Sequence, residues 1–126
     1  MSVIVTDSGF AADDWTKGFE AEGVLDLASD ADPVTVDIDG VEMIRVDFPS
    51  FADGRGFSIA RHLRLRGYKG RLRAKGHVIN EQYAMARRCG FDEVEISEEL
   101  AARQPADLWA SRANWQENDY QARMRG

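Results

Sequence analysis

The chain of 126 residues is poor in the groups from which compact metal and redox sites are built: it has one cysteine, two histidines and three prolines. A single cysteine excludes a disulfide framework. Cys89, His62 and His77 together cannot supply the four ligands of an iron–sulfur cluster or of a closed zinc site, so no metal is expected. No apolar run approaches the roughly 20 residues needed to cross a bilayer. The start of the chain, Met1-Ser2-Val3-Ile4-Val5-Thr6-Asp7, lacks the basic, apolar and small-residue order of a secretion signal. The expectation is a cytoplasmic protein that folds as a single α/β domain over residues 1–126.

Charge is distributed in blocks. Residues 1–53 carry 13 acidic and 2 basic side chains, residues 54–90 carry 1 and 10, and residues 91–126 carry 8 and 4, against a net charge of -6. Such a basic island raises a local potential that attracts phosphate, sulfate or an acidic protein face. The plainer reading is that Arg61, Arg64 and Arg66 line the outer face of a helix and look toward acidic segments of the same chain. Nucleic acid is not expected as a partner, because no basic motif with interleaved aromatics and no zinc-finger spacing is present.

Strand and helix patterns alternate from residue 43 onward. Residues 43–48 read as a strand stopped by Pro49, 57–66 as a helix that Gly67 ends, 70–75 as a second strand, and 78–89 as a second helix that Gly90 ends. Residues 91–96 alternate as a third strand. Ser97 is then an N-cap, with Glu98 and Glu99 in the first turn of a helix that continues through 100–103, and Pro105 opens another. Alternating units of this kind predict a small parallel sheet covered by helices, as a half (βα) barrel or an open sheet, with the core over 43–121. Residues 1–42 read as an irregular N-terminal part with short strands: Val3 to Thr6 as a strand, and the β-branched run from Val34 to Ile38 as at most an edge strand. Trp109, Trp115 and Tyr120 are placed as aromatics that clamp the last helix to the core.

In parallel α/β sheets ligands bind beyond the carboxyl ends of the strands. Those ends lead into Asp53-Gly54-Arg55-Gly56, Gly76-His77 and Ser97. Two glycines that admit a close backbone approach, amides at a helix start and a guanidinium that grips an oxyanion through two hydrogen bonds make Asp53, Gly54, Arg55, Gly56, Ser58 and Gln82 the candidate ligand-binding residues for a small oxyanion. Asp53 and His77 are the candidate proton carriers. The loop is neither a dinucleotide fingerprint, because Ile59 stands at the third glycine position, nor a Walker loop, because no Gly-Lys-Ser/Thr follows. No cofactor is therefore expected. Asp-Gly is also an ordinary turn, in which Arg55 would pair with Asp53.

The run from Asp47 through Pro49, Phe51, Asp53-Gly54-Arg55-Gly56-Phe57-Ser58 to Arg61, followed by Leu63-Arg64, Gly67-Tyr68-Lys69-Gly70 and Leu72-Arg73-Ala74, resembles the bacterial domain-of-unknown-function family number nine hundred and thirty-four. The resemblance continues through Gly76, Val78, Gln82, Arg87-Arg88-Cys89-Gly90-Phe91-Asp92 and Tyr120-Gln121, and the Asp-Gly-Arg-Gly-Phe-Ser segment carries most of it. Members are commonly encoded beside assimilatory sulfite reductase and are labelled as oxidoreductases of sulfite reduction. The resemblance implies a link to sulfur assimilation. The family usually has an acidic residue where this chain has His77, and often another where it has Asn80.

Six-electron sulfite reduction needs sirohaem, an iron–sulfur cluster or a flavin, whose ligand sets and loops are not visible in these residues. The chain therefore reads as an accessory protein of sulfite reductase or of its electron donor, touching its partner through the basic segment. One alternative is a small enzyme acting on a phosphorylated or sulfated metabolite, for which Arg55, Asp53 and His77 must enter one pocket. The other is a structural homodimer that covers its own sheet edges.

Overall fold

A computed structural model describes residues 2–15, 18 and 22–110. Its elements are β1 (Ser2–Thr6), β2 (Gly9–Ala11), β3 (Val24–Leu27), β4 (Met43–Phe48), α1 (Arg55–Leu65), β5 (Arg71–Gly76), α2 (Tyr83–Cys89), β6 (Glu93–Ser97), α3 (Glu98–Arg103) and α4 (Ala106–Ala110). One six-stranded sheet runs in the order β2-β1-β6-β5-β4-β3. Strands β3 to β6 are mutually parallel, whereas β1 lies antiparallel to both β6 and β2. The sheet is thus mixed, not purely parallel as expected. The tight turn at Asp7-Ser8 folds β2 back on β1, and this hairpin closes over β6, a neighbour about ninety residues away that local pattern does not reveal.

The N-terminal part is also more regular than expected. The strand that extends the parallel set is Val24–Leu27, and the β-branched run at 34–38 forms no strand. Local hydrogen bonds explain the exchange. The Asp32 carboxylate accepts from Val34 N (2.9 Å) and that of Asp37 from Asp39 N (3.1 Å), and such side-chain turns compete with a strand ladder. Val24 to Leu27 instead pair in register with Met43 to Val46.

Alternation along the strands divides the sheet into two unlike faces. Ile44, Val46, Phe48, Leu72, Ala74, Val94, Ile96 and Val5 enter one apolar core with Phe57, Ile59, Ala60 and Leu63 of α1 and with Tyr83 and Ala86 of α2. Phe48 is central to it, with ring centroids 4.9 Å from Phe57 and 5.8 Å from Phe91. Burial pushes the Tyr68 phenol at the edge of this core up to about 12. The second helix is shorter than its pattern suggested: residues 80–82 make a 3-10 turn before α2 begins at Tyr83. Ser97 caps α3 by accepting from Leu100 N. Trp109 of α4 is buried, packs edge-on against Tyr83 at 6.0 Å and donates its indole N–H to Gln104 O (2.9 Å), which anchors that helix. Trp115, Tyr120 and Gln121 lie outside the described residues.

The opposite face carries charge. Asp26, Arg45, Arg73 and Glu93 stand side by side on β3, β4, β5 and β6, and Asp47, Lys75 and Glu95 form the next row.

Candidate functional site at the carboxyl ends of the strands

Pro49 ends β4 and the chain turns at Ser50, whose carbonyl accepts from Asp53 N (3.1 Å). The Asp53 carboxylate then accepts from Arg55 N (3.1 Å), Nε (3.0 Å) and Nη2 (2.8 Å). Those hydrogen bonds hold the Asp53 carboxyl well below the usual carboxylate range. Arg55 Nη2 also donates to Ser29 Oγ (3.0 Å), although 61% of the arginine side chain is exposed. Gly54 caps α1, and its carbonyl accepts from Phe57 N (3.2 Å). Gly56 is buried against the Phe48 ring, where a Cβ would fall far inside van der Waals contact. The four-residue loop therefore starts a helix, packs it on β4 and fastens it to Ser29 on the loop after β3.

His77 follows β5 through Gly76, whose φ of +113° turns the chain so tightly that a Cβ would lie 2.7 Å from Phe48 O. That oxygen accepts from His77 N (2.9 Å) and lies 3.2 Å from the imidazole Nδ1. Gln82 is occupied at both ends: its Oε1 accepts from Ile79 N (3.1 Å) and its Nε2 donates to Phe51 O (3.0 Å). It braces the loop after β4 against the start of α2.

Of the expected residues Arg55 and Ser58 line one hollow and His77 another, while Asp53, Gly54, Gly56 and Gln82 line neither. Arg55, Ser58 and His62 line a groove of about 490 Å³ with Ser29, Asp30 and Asp32. His77 opens into another of about 370 Å³ with Phe51, Ser97, Glu99, Leu100 and Arg103. Arg55 and His77 do not share a cavity, and the first groove carries two carboxylates beside its guanidinium.

Part of the basic island, with Arg45 from outside it, has another use. Arg73, with no exposed side-chain surface, donates through Nε to Glu93 (2.6 Å), through Nη1 to Glu95 (2.8 Å) and through both terminal nitrogens to Asp13 (3.1 and 3.0 Å). Arg71 donates to Glu93 (2.6 Å) and to Asp14 and lies 6.0 Å beneath the Trp15 ring. Arg45 joins Asp26 (2.7 Å) to Glu95 (3.2 Å). Burial works against the charge on Arg71 and Arg73, but the carboxylate hydrogen bonds outweigh it and raise both above the ordinary arginine range. For Asp13 burial likewise opposes ionisation, and the bonds from Arg73 overcome it to lower its carboxyl. This network was missed in reading the sequence. Charge at alternate strand positions was its signature: Arg45 on β4 and Arg71, Arg73 and Lys75 on β5 share one face with the acidic Glu93 and Glu95 of β6.

Arg61, Arg64 and Arg88 lie on the outside, around a shallow hollow of about 300 Å³ between α1 and α2 with Leu65 and half-buried Cys89, and no carboxylate of the described residues lines it. Arg64 is used structurally: Nε donates to Gly90 O (2.9 Å), Nη1 to Tyr68 O (3.0 Å) and Gly70 O (2.8 Å), and Nη2 to Asp92 (3.0 Å). Leu65 beside it is 75% exposed.

A family model described as "Bacterial protein of unknown function (DUF934)" matches residues 23–126. The chain belongs to the DUF934 family. No curated protein and no solved structure matches it. The DUF934 match takes in β3 to α4 and leaves out the β1–β2 hairpin and the Asp13-Asp14-Trp15 segment. The carboxylates that Asp13 and Asp14 bring to Arg73 and Arg71 thus come from outside the matched region. Among the described residues no helix is long and apolar enough to cross a membrane.

Proposed function

We propose that this DUF934 protein is an accessory protein of assimilatory sulfite reductase that docks an acidic face of the reductase or of its electron donor on the outer surface of α1 and α2. The observation that carries this reading is the patch itself: exposed Arg61 and Arg88 line one hollow with exposed Leu65. An exposed apolar side chain ringed by cations suits a protein partner, since the cations steer an acidic surface and the apolar centre is desolvated on contact. The link to sulfite reduction comes from the family resemblance. The small-enzyme alternative required Arg55, Asp53 and His77 in one pocket, whereas Arg55 and His77 line different hollows and Asp53 lines neither.

The test is association. The purified protein is mixed with the sulfite reductase of its own organism and, separately, with the electron donor, and the mass in solution is followed by light scattering at about 20 mM and about 300 mM salt. Sulfite-dependent turnover is recorded alongside. A complex with either partner that forms at low salt, weakens at high salt and changes turnover is the expected result. Absence of a complex with both partners at low salt would overturn the reading.

A further inference from the structure

The hollow at His77 has the elements of a small-molecule site, independently of the docking surface. It lies where the chain leaves β4, β5 and β6, which contribute Phe51, His77 and Ser97. Its volume, about 370 Å³, falls at the small end of the range for ligand pockets, about 300–1,000 Å³. The imidazole is held in one orientation: Nδ1 lies 3.2 Å from Phe48 O, and the ring stands edge-on to Phe51 with centroids 5.2 Å apart. A carbonyl oxygen only accepts, so in the neutral ring Nδ1 carries the hydrogen and Nε2 keeps its lone pair. The Phe51 backbone is held beside the hollow by Gln82 Nε2, which donates to its carbonyl (3.0 Å).

Arg103 Nη2 donates to Glu99 Oε1 (2.7 Å), and both side chains are about three-quarters exposed. An exposed i,i+4 pair of this kind is worth little, so a ligand carboxylate can replace Glu99 on the guanidinium at small cost. Ser97 Oγ accepts from Leu100 N (3.1 Å), which leaves its hydroxyl hydrogen free to donate. We propose that this hollow binds a small organic carboxylate with an apolar body and a hydroxyl group. Arg103 takes the carboxylate, Phe51 and Leu100 flank the body, and His77 Nε2 accepts the hydroxyl's hydrogen bond.

The probe is para-hydroxybenzoate, titrated into the full chain while NMR follows the His77 and Phe51 ring resonances. Saturable shifts at both rings, half-complete near or below about 1 mM, are the expected result. Para-hydroxybenzamide, without the charge, should bind about tenfold more weakly, and Arg103→Gln should weaken para-hydroxybenzoate by a similar factor. Benzoate, without the hydroxyl, should bind more weakly to the unaltered protein and equally well to His77→Phe, because the lost acceptor is the group that distinguishes the two ligands. Arg103 is exposed, and an unchanged amide spectrum for Arg103→Gln checks that the variant folds. No shift at about 10 mM, shifts confined to Ser58 and His62, or binding unaffected by Arg103→Gln would overturn the proposal.

Discussion

Two faces of this protein use arginines from the same stretch of sequence in opposite ways. On the charged face of the sheet Arg71 and Arg73 are drawn into a layer of carboxylates, and Arg73 keeps no exposed side-chain surface. On the outer surface of α1 and α2, Arg61 and Arg88 are exposed and line a hollow with an exposed leucine. What separates the two sets is the geometry of the element beneath them. Strand alternation aims Arg71 and Arg73 at Glu93 one strand away, whereas helical spacing turns Arg61 away from the core that Ile59, Ala60 and Leu63 enter. A basic island in a sequence is thus divided by secondary structure into charges that hold the fold and charges that can meet a partner.

The largest expected effect comes from breaking the buried set. Arg73→Met leaves Asp13, Glu93 and Glu95 facing one another without their shared cation, which should cost about 3–5 kcal/mol and lower Tm by more than about 10 °C in a thermal melt. Arg64→Ala sharpens the comparison within the outer patch. Its three carbonyl bonds and its Asp92 contact fasten the end of α1, so its loss should cost about 2 kcal/mol in denaturant unfolding.

Asp13→Asn should cost about 1 kcal/mol at neutral pH, with a sign that pH can check. The Asp13 carboxyl is lowered in the folded state, so its contribution is complete above the unfolded value near about 4 and is lost as pH falls through the folded one. The gap in Tm between the unaltered protein and Asp13→Asn should therefore stay constant from about pH 7 to about pH 5 and close below about pH 4. Arg61→Ala, at the other extreme, should leave stability within about 0.5 kcal/mol while weakening the complex with sulfite reductase or its donor at low salt.

The succession β4-α1-β5-α2-β6 was legible because each element carries its own apolar period and each helix ends at a glycine. Gly90, at φ +112°, is the left-handed cap of α2 that the sequence leads one to expect. Strand order was not legible. Nothing local tells β1 to insert beside β6, and the β-branched run at 34–38 lost its strand to aspartate turns that also favour loops in isolation. At the candidate site the pairing of Arg55 with Asp53 was foreseen as the ordinary outcome of an Asp-Gly turn. The separation of Arg55 from His77 was not, because it depends on the Ser29 loop closing against one side of α1 and α3 against the other side of His77.

The most direct test of the docking surface is to reverse its charge and leave the sheet face intact. The double variant Arg61→Glu with Arg88→Glu is compared with the unaltered protein for binding to sulfite reductase and to its electron donor by titration calorimetry at low salt, with Tm measured on the same samples. Loss of affinity by tenfold or more, at a Tm changed by no more than about 2 °C, is the expected result. Undiminished affinity in a folded double variant would contradict a partner surface on α1 and α2.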